Sequence, residues 1–307
     1  MRSPKNNKGG TLVKKPYTLL NKAEPYLWIL PSIILMFIFI IIPIGFVFRM
    51  AFSQVTKAGL VKGFIGFKNF EKVLGGAKFA MVLKNTVVWT LYVVILSTVL
   101  GFILALLLNN EFKGRKVARA IVVFPWATTL VIQASIWNFI INKDYGTLNT
   151  LLKTLGIIST NINWTPTPEA FFAWEIACGI FVTIPFVCFT ALSGLQSIDS
   201  SYYEAALVDG ANYWQKLFNI TLPLVKPSLT VATVLNIIYV FNSFPIVWTI
   251  TKGDPANRTD TLVTYLYKLA FYNGKQGEAA AVSVIGFLIL LVCASIYMVS
   301  TLKKGDE

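Results

Sequence analysis

The sequence predicts an all-α, polytopic membrane protein with six transmembrane helices. Of its 307 residues, 55% are hydrophobic and 13% are charged, and this charged share is about half of that in a typical soluble domain. A single soluble core does not bury so much apolar surface. The charges are also unevenly distributed, because six long runs contain none of them. Composition and charge spacing together indicate repeated passage through a lipid bilayer.

The six charge-free runs are the predicted transmembrane helices. A charged side chain costs roughly 2.5–3.5 kcal/mol at the centre of a membrane helix, and about 20 residues of helix cross the hydrocarbon layer. The runs cover residues 25–48, 85–110, 120–142, 176–198, 227–251 and 279–302. They predict a transmembrane domain over 25–302, between a basic tail at 1–24 and a short tail at 303–307.

The orientation of these spans is left open by the basic residues. Six spans place both termini on the same side of the membrane. Lys and Arg are denser in the segments on that side, which favours cytoplasmic termini. Their raw counts on the two sides are nearly equal, however, so charge alone does not decide the orientation.

Composition also excludes several kinds of site. The chain contains no His, which excludes His-based metal centres and Ser-His-Asp triads. Cys178, Cys188 and Cys293 lie in apolar stretches, which favours packing over disulfides. The net charge of +13 comes from residues between the apolar runs, as is typical near lipid headgroups, and not from a nucleic-acid-binding stripe. No catalytic residue, metal ligand or nucleic-acid partner is predicted.

The connection between the fourth and fifth runs, residues 199–226, predicts two short helices at the membrane surface. Ser201 and Glu204 have the spacing of a capping box. Gly210 ends the first helix, because glycine accepts the left-handed conformation found at helix ends. Asn212, with a glutamine three residues later, is a suitable cap for the second helix. Prolines then mark the beginning of the fifth span.

The same connection carries a spaced motif. Its residues are Glu204, Ala205, Ala206, Gly210, Ile220, Leu222 and Pro223. This motif resembles the EAA motif of permease subunits of binding-protein-dependent ABC importers. The resemblance implies a type I permease bundle in which this coupling loop is cytoplasmic and docks in a cleft of an ATPase subunit. It therefore implies cytoplasmic termini, although Glu204 taken alone is also suited to capping its own helix.

The resemblance extends over roughly residues 26–302. Phe67-Lys68-Asn69-Phe70, Gly146-Thr147-Leu148-Asn149 and Asn163-Trp164 resemble the carbohydrate-uptake branch, on the side of the maltose-type first permease subunit. The stretch 251–255 departs from that branch, because Thr-Lys-Gly-Asp-Pro stands where a glycine-rich turn is usual.

The resemblance also implies partners. They are a second permease subunit, a pair of ATPases that bind ATP and Mg, an extracytoplasmic solute-binding protein, and the cytoplasmic membrane of a bacterium or archaeon. The chain has no phosphate loop of the GxxxxGK[ST] type. We therefore expect no enzymatic activity and no cofactor on this chain itself.

Polar side chains inside the spans are candidates for the substrate pathway, because such groups tend to face a bundle interior or a water-filled cavity. Amides, hydroxyls and aromatic rings suit a neutral, polyhydroxylated ligand. Hydrogen bonds that only join helices are the alternative, and for Trp137 an interfacial aromatic belt. The candidates are Asn236, Tyr239, Asn242, Ser243 and Trp248 in the fifth span, and Gln133 and Trp137 in the third.

The sequence thus predicts a permease subunit that moves a sugar or oligosaccharide. An ABC permease for another polar solute remains an alternative. An ion-coupled secondary transporter is a third hypothesis, but it calls for paired acids within the spans. None is evident, and Glu175 is expected at the outer interface.

Overall fold

The computed structural model describes residues 19–255 and 257–302, most of which are helical. Residues 1–18 of the predicted basic tail and the predicted tail at 303–307 lie outside this part. The regular elements are α1 (Leu19–Met36), α2 (Ile42–Ala51), β1 (Ser53–Val55), β2 (Val61–Phe64), α3 (Lys68–Leu74), α4 (Ala77–Asn109), α5 (Arg115–Val123), α6 (Leu130–Ile140), α7 (Thr147–Thr154), α8 (Pro168–Gln196), α9 (Ser200–Val208), α10 (Tyr213–Lys216), α11 (Leu222–Phe241), α12 (Pro245–Ile250), α13 (Leu262–Tyr267) and α14 (Gln276–Leu302). Single π-helical turns occupy Phe37–Ile41, Leu217–Thr221 and Lys268–Tyr272, and a 3₁₀ turn occupies Phe124–Ala127.

Five helical segments in the described part are long and apolar enough to cross a membrane. They are Trp28–Ala51, Ala77–Asn109, Pro168–Gln196, Tyr213–Ile250 and Gln276–Tyr297. A sixth is present if Arg115–Ala127 and Leu130–Ile140, which meet at an angle of 97°, form one broken span. Each of the six charge-free runs therefore overlaps one of these segments.

The third predicted span, 120–142, is not one continuous helix. The helix α5 gives way to the 3₁₀ turn at Phe124–Ala127, and α6 begins only after Thr129. Pro125 lies in that turn and has no N–H for the helical ladder. The Thr129 hydroxyl oxygen then accepts a hydrogen bond from the N–H of Ile132 at 3.4 Å and caps the new helix.

The second span is part of a longer helix than the charge-free run 85–110. The helix α4 starts at Ala77 and includes Lys78 and Lys84 in its first turns. Counting charges detects the part of the helix that is suited to the hydrocarbon layer. The helix continues beyond this part, where lysine side chains are able to extend into water.

The described chain divides into two compact units, one up to Arg49 and one from Met50 onward. The first unit contains α1 and most of α2. In the second unit α4, α8 and α11 pack against one another around a buried cluster. The indole N–H of Trp89 in α4 donates to the carbonyl oxygen of Val240 in α11 at 2.9 Å. Trp89 therefore joins two of the spans.

The close approach of α4 and α8 depends on glycine. A Cβ added to Gly101 would lie 2.8 Å from the Cβ of Val187, and one added to Gly179 would lie 2.8 Å from the Trp89 ring. Both distances are shorter than van der Waals contact permits. At these points the side chain of one helix therefore packs directly against the glycine backbone of the other.

Replacing Gly101 with alanine is expected to destabilise the protein. Overpacking costs typically 1–3 kcal/mol, which is larger than the ~1 kcal/mol that alanine contributes to a helix. The measurement is the thermal unfolding midpoint of the solubilised protein. Gly286→Ala is the matched control, since its added Cβ lies 3.6 Å from the Phe241 ring, at ordinary contact distance. A Gly101→Ala midpoint equal to or above that of the control would contradict this packing account.

The first connection forms a small structure that ties the ends of several helices together. The strands β1 and β2 pair antiparallel. The side-chain amide of Asn69 in α3 donates to the carbonyl oxygens of Ala51 and Ser53, each at 2.9 Å. A Cβ on Gly277, at the start of α14, would lie 2.7 Å from the Asn69 amide nitrogen. Asn69, which carries part of the family resemblance, is thus a structural residue.

The three cysteines are free, as expected. Cys178 and Cys188 are buried in the helix packing, and Cys293 is exposed.

Candidate functional site

The coupling loop, residues 199–226, forms two helices joined by a tight turn. The first is α9, which ends at Val208. Gly210 has a φ of +74°, so the prediction of a left-handed glycine is confirmed. The N–H of Gly210 donates to the carbonyl oxygen of Leu207 at 3.1 Å, and the N–H of Ala211 donates to that of Ala206 at 2.8 Å. These bonds satisfy the last carbonyls of α9 and fix the angle between the helices.

The predicted cap of the first helix is wrong. The helix begins at Ser200, and the Asp199 carboxylate accepts the Ser201 N–H at 2.8 Å. That backbone hydrogen bond, with a second from the Ser201 hydroxyl, lowers the pKa of Asp199. Asp199 caps more effectively than Ser201 because its charge also interacts favourably with the helix N-terminus. The predicted cap of the second helix, Asn212, is confirmed, and reciprocal bonds of 2.9 and 2.7 Å between Asn212 and Gln215 make it a full capping box.

The second helix continues into the fifth span without interruption. The helix α10 passes through the π-helical turn at Leu217–Thr221 into α11. Pro223 lies two residues after the π-helical turn, where the α-helical hydrogen-bond ladder is already irregular. The sequence suggested that the prolines mark the boundary between a surface helix and a membrane helix, but the helix is continuous across them.

The motif residues differ in exposure. Glu204 and Ala205 are exposed, and within the described residues Glu204 makes no hydrogen bond or ion pair. Ala206 is buried beneath them. Ile220 and Leu222 are half-buried, whereas Gly210 and Pro223 are exposed. Since Asp199 caps α9, the carboxylate of Glu204 is left unoccupied by its own helix.

Large apolar side chains around Glu204 are exposed to an unusual degree, and Val208 is 88% exposed. Exposed apolar side chains of this kind are typical of a surface that binds another protein or a membrane. The large exposed apolar residues of the coupling loop are Tyr202, Leu207, Val208, Tyr213, Trp214, Phe218 and Leu224.

Two of the predicted pathway residues share a cavity. Asn236 and Tyr239, one turn apart on α11, line a space of about 250 Å³ together with Trp126 of the broken third span. The Asn236 amide donates to the Ser97 hydroxyl of α4 at 2.9 Å, while its carbonyl oxygen has no partner within residues 19–255 and 257–302. Asn236 thus joins two helices, and its carbonyl oxygen is buried.

The other fifth-span candidates lie elsewhere. Ser243 follows the end of α11 and does not line the cavity of Asn236 and Tyr239, and among the described residues its buried hydroxyl has no partner. Asn242 lines a groove of about 500 Å³ between α11, α13 and α14. Trp248 lines a third space, of about 620 Å³, at the end of the fifth predicted span. The helix break before Pro245 separates these positions.

The third-span candidates have packing contacts. The Gln133 amide donates to the Pro125 carbonyl oxygen at 3.0 Å and to the Thr128 hydroxyl, which braces the sharp bend. The Trp137 ring packs against Trp174 at a centroid distance of 6.0 Å. Neither residue lines the cavity of Asn236 and Tyr239.

Comparison with known proteins identifies the family. The family described as binding-protein-dependent transport system inner membrane component matches residues 97–302. This chain belongs to that family. It is 46% identical to a probable ABC transporter permease protein of Brucella suis over 91% of this chain and 96% of that protein. It is 37% identical to the trehalose/maltose transport system permease protein MalF of Thermococcus litoralis over 89% and 92%, respectively.

The fold of this inner membrane component is likewise that of solved importers. Its structure is similar to that of a bacterial ABC transporter involved in the import of the acidic polysaccharide alginate. The TM-score is 0.80 at 26% sequence identity, with coverage of 92% of this chain and 97% of that chain. The predicted fold class is confirmed, and membership in this family decides against an ion-coupled secondary transporter.

Sequence reasoning missed a buried polar network at the end of the fifth span. Glu175 of α8 was expected at an interface, yet it is fully buried. It accepts a hydrogen bond from the Thr251 hydroxyl, and Thr251 is within 2.8 Å of the Thr259 hydroxyl. In the part of the chain that the structure describes, the other Glu175 carboxylate oxygen has no partner. The contact joins α8 to the loop after α12.

An ion pair holds the same loop. The Lys268 ammonium lies 3.0 Å from the Asp260 carboxylate, which is fully buried. Burial raises the pKa of Asp260, and the bond and charge of Lys268 oppose that rise. The backbone of Gly253 packs so closely that an added Cβ would collide with Asp260. In the described part of the chain no group of three or more acidic or cysteine side chains is placed to hold a metal ion.

Proposed function

We propose that this family member is the permease subunit of an ATP-driven importer for a sugar or oligosaccharide delivered by an extracytoplasmic binding protein. The observation that carries the cargo class is the 37% identity to the trehalose/maltose permease over nearly the whole chain. A sulfoquinovosyl glycerol permease of Agrobacterium fabrum, 33% identical over 87% of this chain, supports the same class. A solved alginate transporter in complex with its periplasmic protein supports the binding-protein partner.

The coupling loop is proposed to dock on a separate ATPase subunit. Its exposed apolar residues supply contact area, and the unpaired Glu204 carboxylate is available for a basic side chain of the partner. Docking places the loop and both termini in the cytoplasm. ATP and Mg are then bound by the ATPase pair, and a second permease subunit completes the pathway.

The continuous helix suggests how ATP-driven movement reaches the cargo. The Tyr203 hydroxyl of α9 and the Thr221 hydroxyl at the base of α11 are 3.0 Å apart. A force on α9 therefore acts on the same helix that carries Asn236 and Tyr239. We infer that closure of the ATPase pair tilts α11 and opens the cavity alternately to the two sides of the membrane.

The cavity of Asn236 and Tyr239 suits contact with sugar hydroxyls. Tyr239, which is 45% exposed, offers a hydroxyl and an aromatic face, whereas the carbonyl oxygen of Asn236 is buried and becomes available to a sugar only when the cavity opens. The Trp126 ring adds a second apolar surface. Aromatic faces pack against the CH-rich faces of sugars, while amides and hydroxyls bond their edges.

Charge reversal at Glu204 tests the docking role. In liposomes that contain the assembled importer, the cargo-loaded binding protein is expected to stimulate ATP hydrolysis. Glu204→Lys is expected to lower that stimulation about fivefold, because an exposed charge pair contributes up to about 1 kcal/mol. Asp209→Lys is the matched control, since Asp209 is exposed in the same loop but lies outside the motif.

Two results would contradict the proposal. Equal stimulation of Glu204→Lys and wild type would remove the docking role of this carboxylate. Absence of any stimulation of wild type by binding proteins loaded with saccharides would reject the cargo class.

A further inference from the structure

The end of the bundle opposite the coupling loop contains a large polar cavity. It has a volume of about 620 Å³, which is within the usual range for ligand sites. The start of α4, the loop after α12, the π-helical turn at Lys268–Tyr272 and the start of α14 surround it. We call it the outer cavity. Trp248, one of the predicted pathway residues, is part of its wall.

Five lysines line the outer cavity, and two of them are neutralised by neighbouring acids. Lys268 lies 3.0 Å from the buried Asp260 carboxylate. Lys275 lies 3.2 Å from the Glu278 carboxylate. These two pairs contribute little net charge to the space that they border.

The other three lysines are not paired with an acid in the described part of the chain. Lys72, Lys78 and Lys252 are exposed, and among the described residues no carboxylate oxygen lies within 4.0 Å of their ammonium nitrogens. One further acid, Asp254, also lines the cavity, and its Oδ1 accepts the N–H of Asn257. Positive charge concentrated in a concave site attracts anions and raises their local concentration.

Aromatic rings form part of the wall beside these charges. The Trp248 ring stacks on Phe244 at a centroid distance of 5.1 Å, which fixes its position. Tyr272, an exposed residue, is 5.9 Å from Trp248. Fixed rings of this kind provide flat apolar surfaces that a small inorganic anion does not use.

We propose that the outer cavity binds the anionic substituent of a saccharide cargo. This inference rests on the proposed function, and it narrows the cargo to acidic saccharides. The three unpaired lysines contact the carboxylate, sulfonate or phosphate group, and Trp248 and Tyr272 contact the sugar ring. The predicted spans contain no Lys or Arg, so a charge on the cargo is recognised at the outer cavity, whereas hydroxyl groups are recognised deeper, at Asn236 and Tyr239.

Digalacturonate and its dimethyl ester are probes that separate charge from shape. Binding of each is measured on the assembled importer in lipid nanodiscs, without the binding protein. We expect wild type to prefer the acid, and the preference to fall with added salt. Each exposed charge pair changes an affinity by a factor of roughly 2 to 5. The variant Lys72→Gln/Lys78→Gln/Lys252→Gln is therefore expected to bind the acid about 20-fold more weakly.

A matched variant controls for general loss of positive charge. Lys62→Gln/Lys143→Gln/Lys153→Gln removes three exposed lysines that do not line the outer cavity, and it is expected to retain the preference. Equal binding of the acid and the ester to wild type would overturn the inference. Normal binding of the acid by the triple cavity variant would also overturn it. So would a triple variant that loses only its affinity for the binding protein, because the three lysines would then contact acidic side chains of that protein.

The proposed function is judged separately. An importer whose ATPase is stimulated by a neutral sugar on its binding protein, but which shows no preference for the acid, retains the proposed function and loses only this inference.

Discussion

Replacing Gly210 with valine is expected to lower stimulated ATP hydrolysis by the assembled importer more than about tenfold. Gly210 has a φ of +74°, and the left-handed region costs a residue with a Cβ roughly 1–2 kcal/mol, with β-branched residues least tolerated. A shift of 1.4 kcal/mol is a factor of ten in an equilibrium. Valine therefore forces the turn open and changes the angle between α9 and α10, on which docking depends.

Gly156→Val is a closely matched control. Gly156 has a φ of +67° and follows α7. Its N–H donates to the Lys153 carbonyl oxygen and the next N–H donates to that of Leu152, which repeats the bonding at Gly210. Neither glycine has another atom within 4 Å of an added Cβ. The two substitutions thus impose the same backbone strain at two different loops.

The measurement is the ATPase rate with and without the cargo-loaded binding protein, after confirming equal amounts of inserted protein. Loss of stimulation in Gly210→Val alone supports the coupling role of the turn. Equal activity of both variants would show that the angle between α9 and α10 has no role in coupling.

Local patterns predicted the coupling loop well because its structure depends on neighbouring residues. Gly210 and the Asn212–Gln215 box act over three or four residues, and both formed as expected. The first cap was wrong because Asp199, two residues earlier, competes for the same backbone N–H groups. When several neighbouring residues are all able to cap a helix, their spacing alone does not show which of them does so.

Charge-free runs located the spans but not their continuity. They report the cost of placing charge in hydrocarbon, and this cost is equally low for a straight helix and a broken one. The bend before α6 was therefore not predicted, although the sequence contains Pro125 and Thr129 at that place. The continuous path from α10 into α11 was not expected for a different reason, because Pro223 and Pro227 were interpreted as the beginning of a separate span.

The buried network at the far end of the fifth span was beyond sequence reasoning. Glu175 and Thr251 are 76 residues apart, and nothing in either segment indicates that they meet. A carboxylate at the edge of an apolar run is compatible with a headgroup position or with burial. Only the packing of α8 against the loop after α12 decides between them.

Replacing Lys268 with methionine is expected to cause the largest loss of stability. Its ammonium is paired with Asp260, and the side chains are 16% and 0% exposed. Removing one partner of a buried ion pair costs about 3–5 kcal/mol, because the other charge stays buried without compensation. Arg258→Met removes the same kind of charge from an ion pair with Glu169 whose side chains are more than half exposed. We expect no measurable change there.

The unfolding midpoint of the solubilised importer, measured against pH, distinguishes loss of the pair from loss of packing. Burial already raises the pKa of Asp260 above its ordinary 3.8, and without Lys268 the pKa rises further. The folded state then holds a proton more tightly than the unfolded state, so the stability of the variant falls as pH rises from about 3.8 through the raised pKa. The deficit of Lys268→Met is therefore expected to shrink towards acidic pH. The double variant Lys268→Met/Asp260→Leu is expected to recover part of the loss at neutral pH, because it leaves no unpaired charge. A deficit that is independent of pH and unchanged in the double variant would show that Lys268 acts through packing.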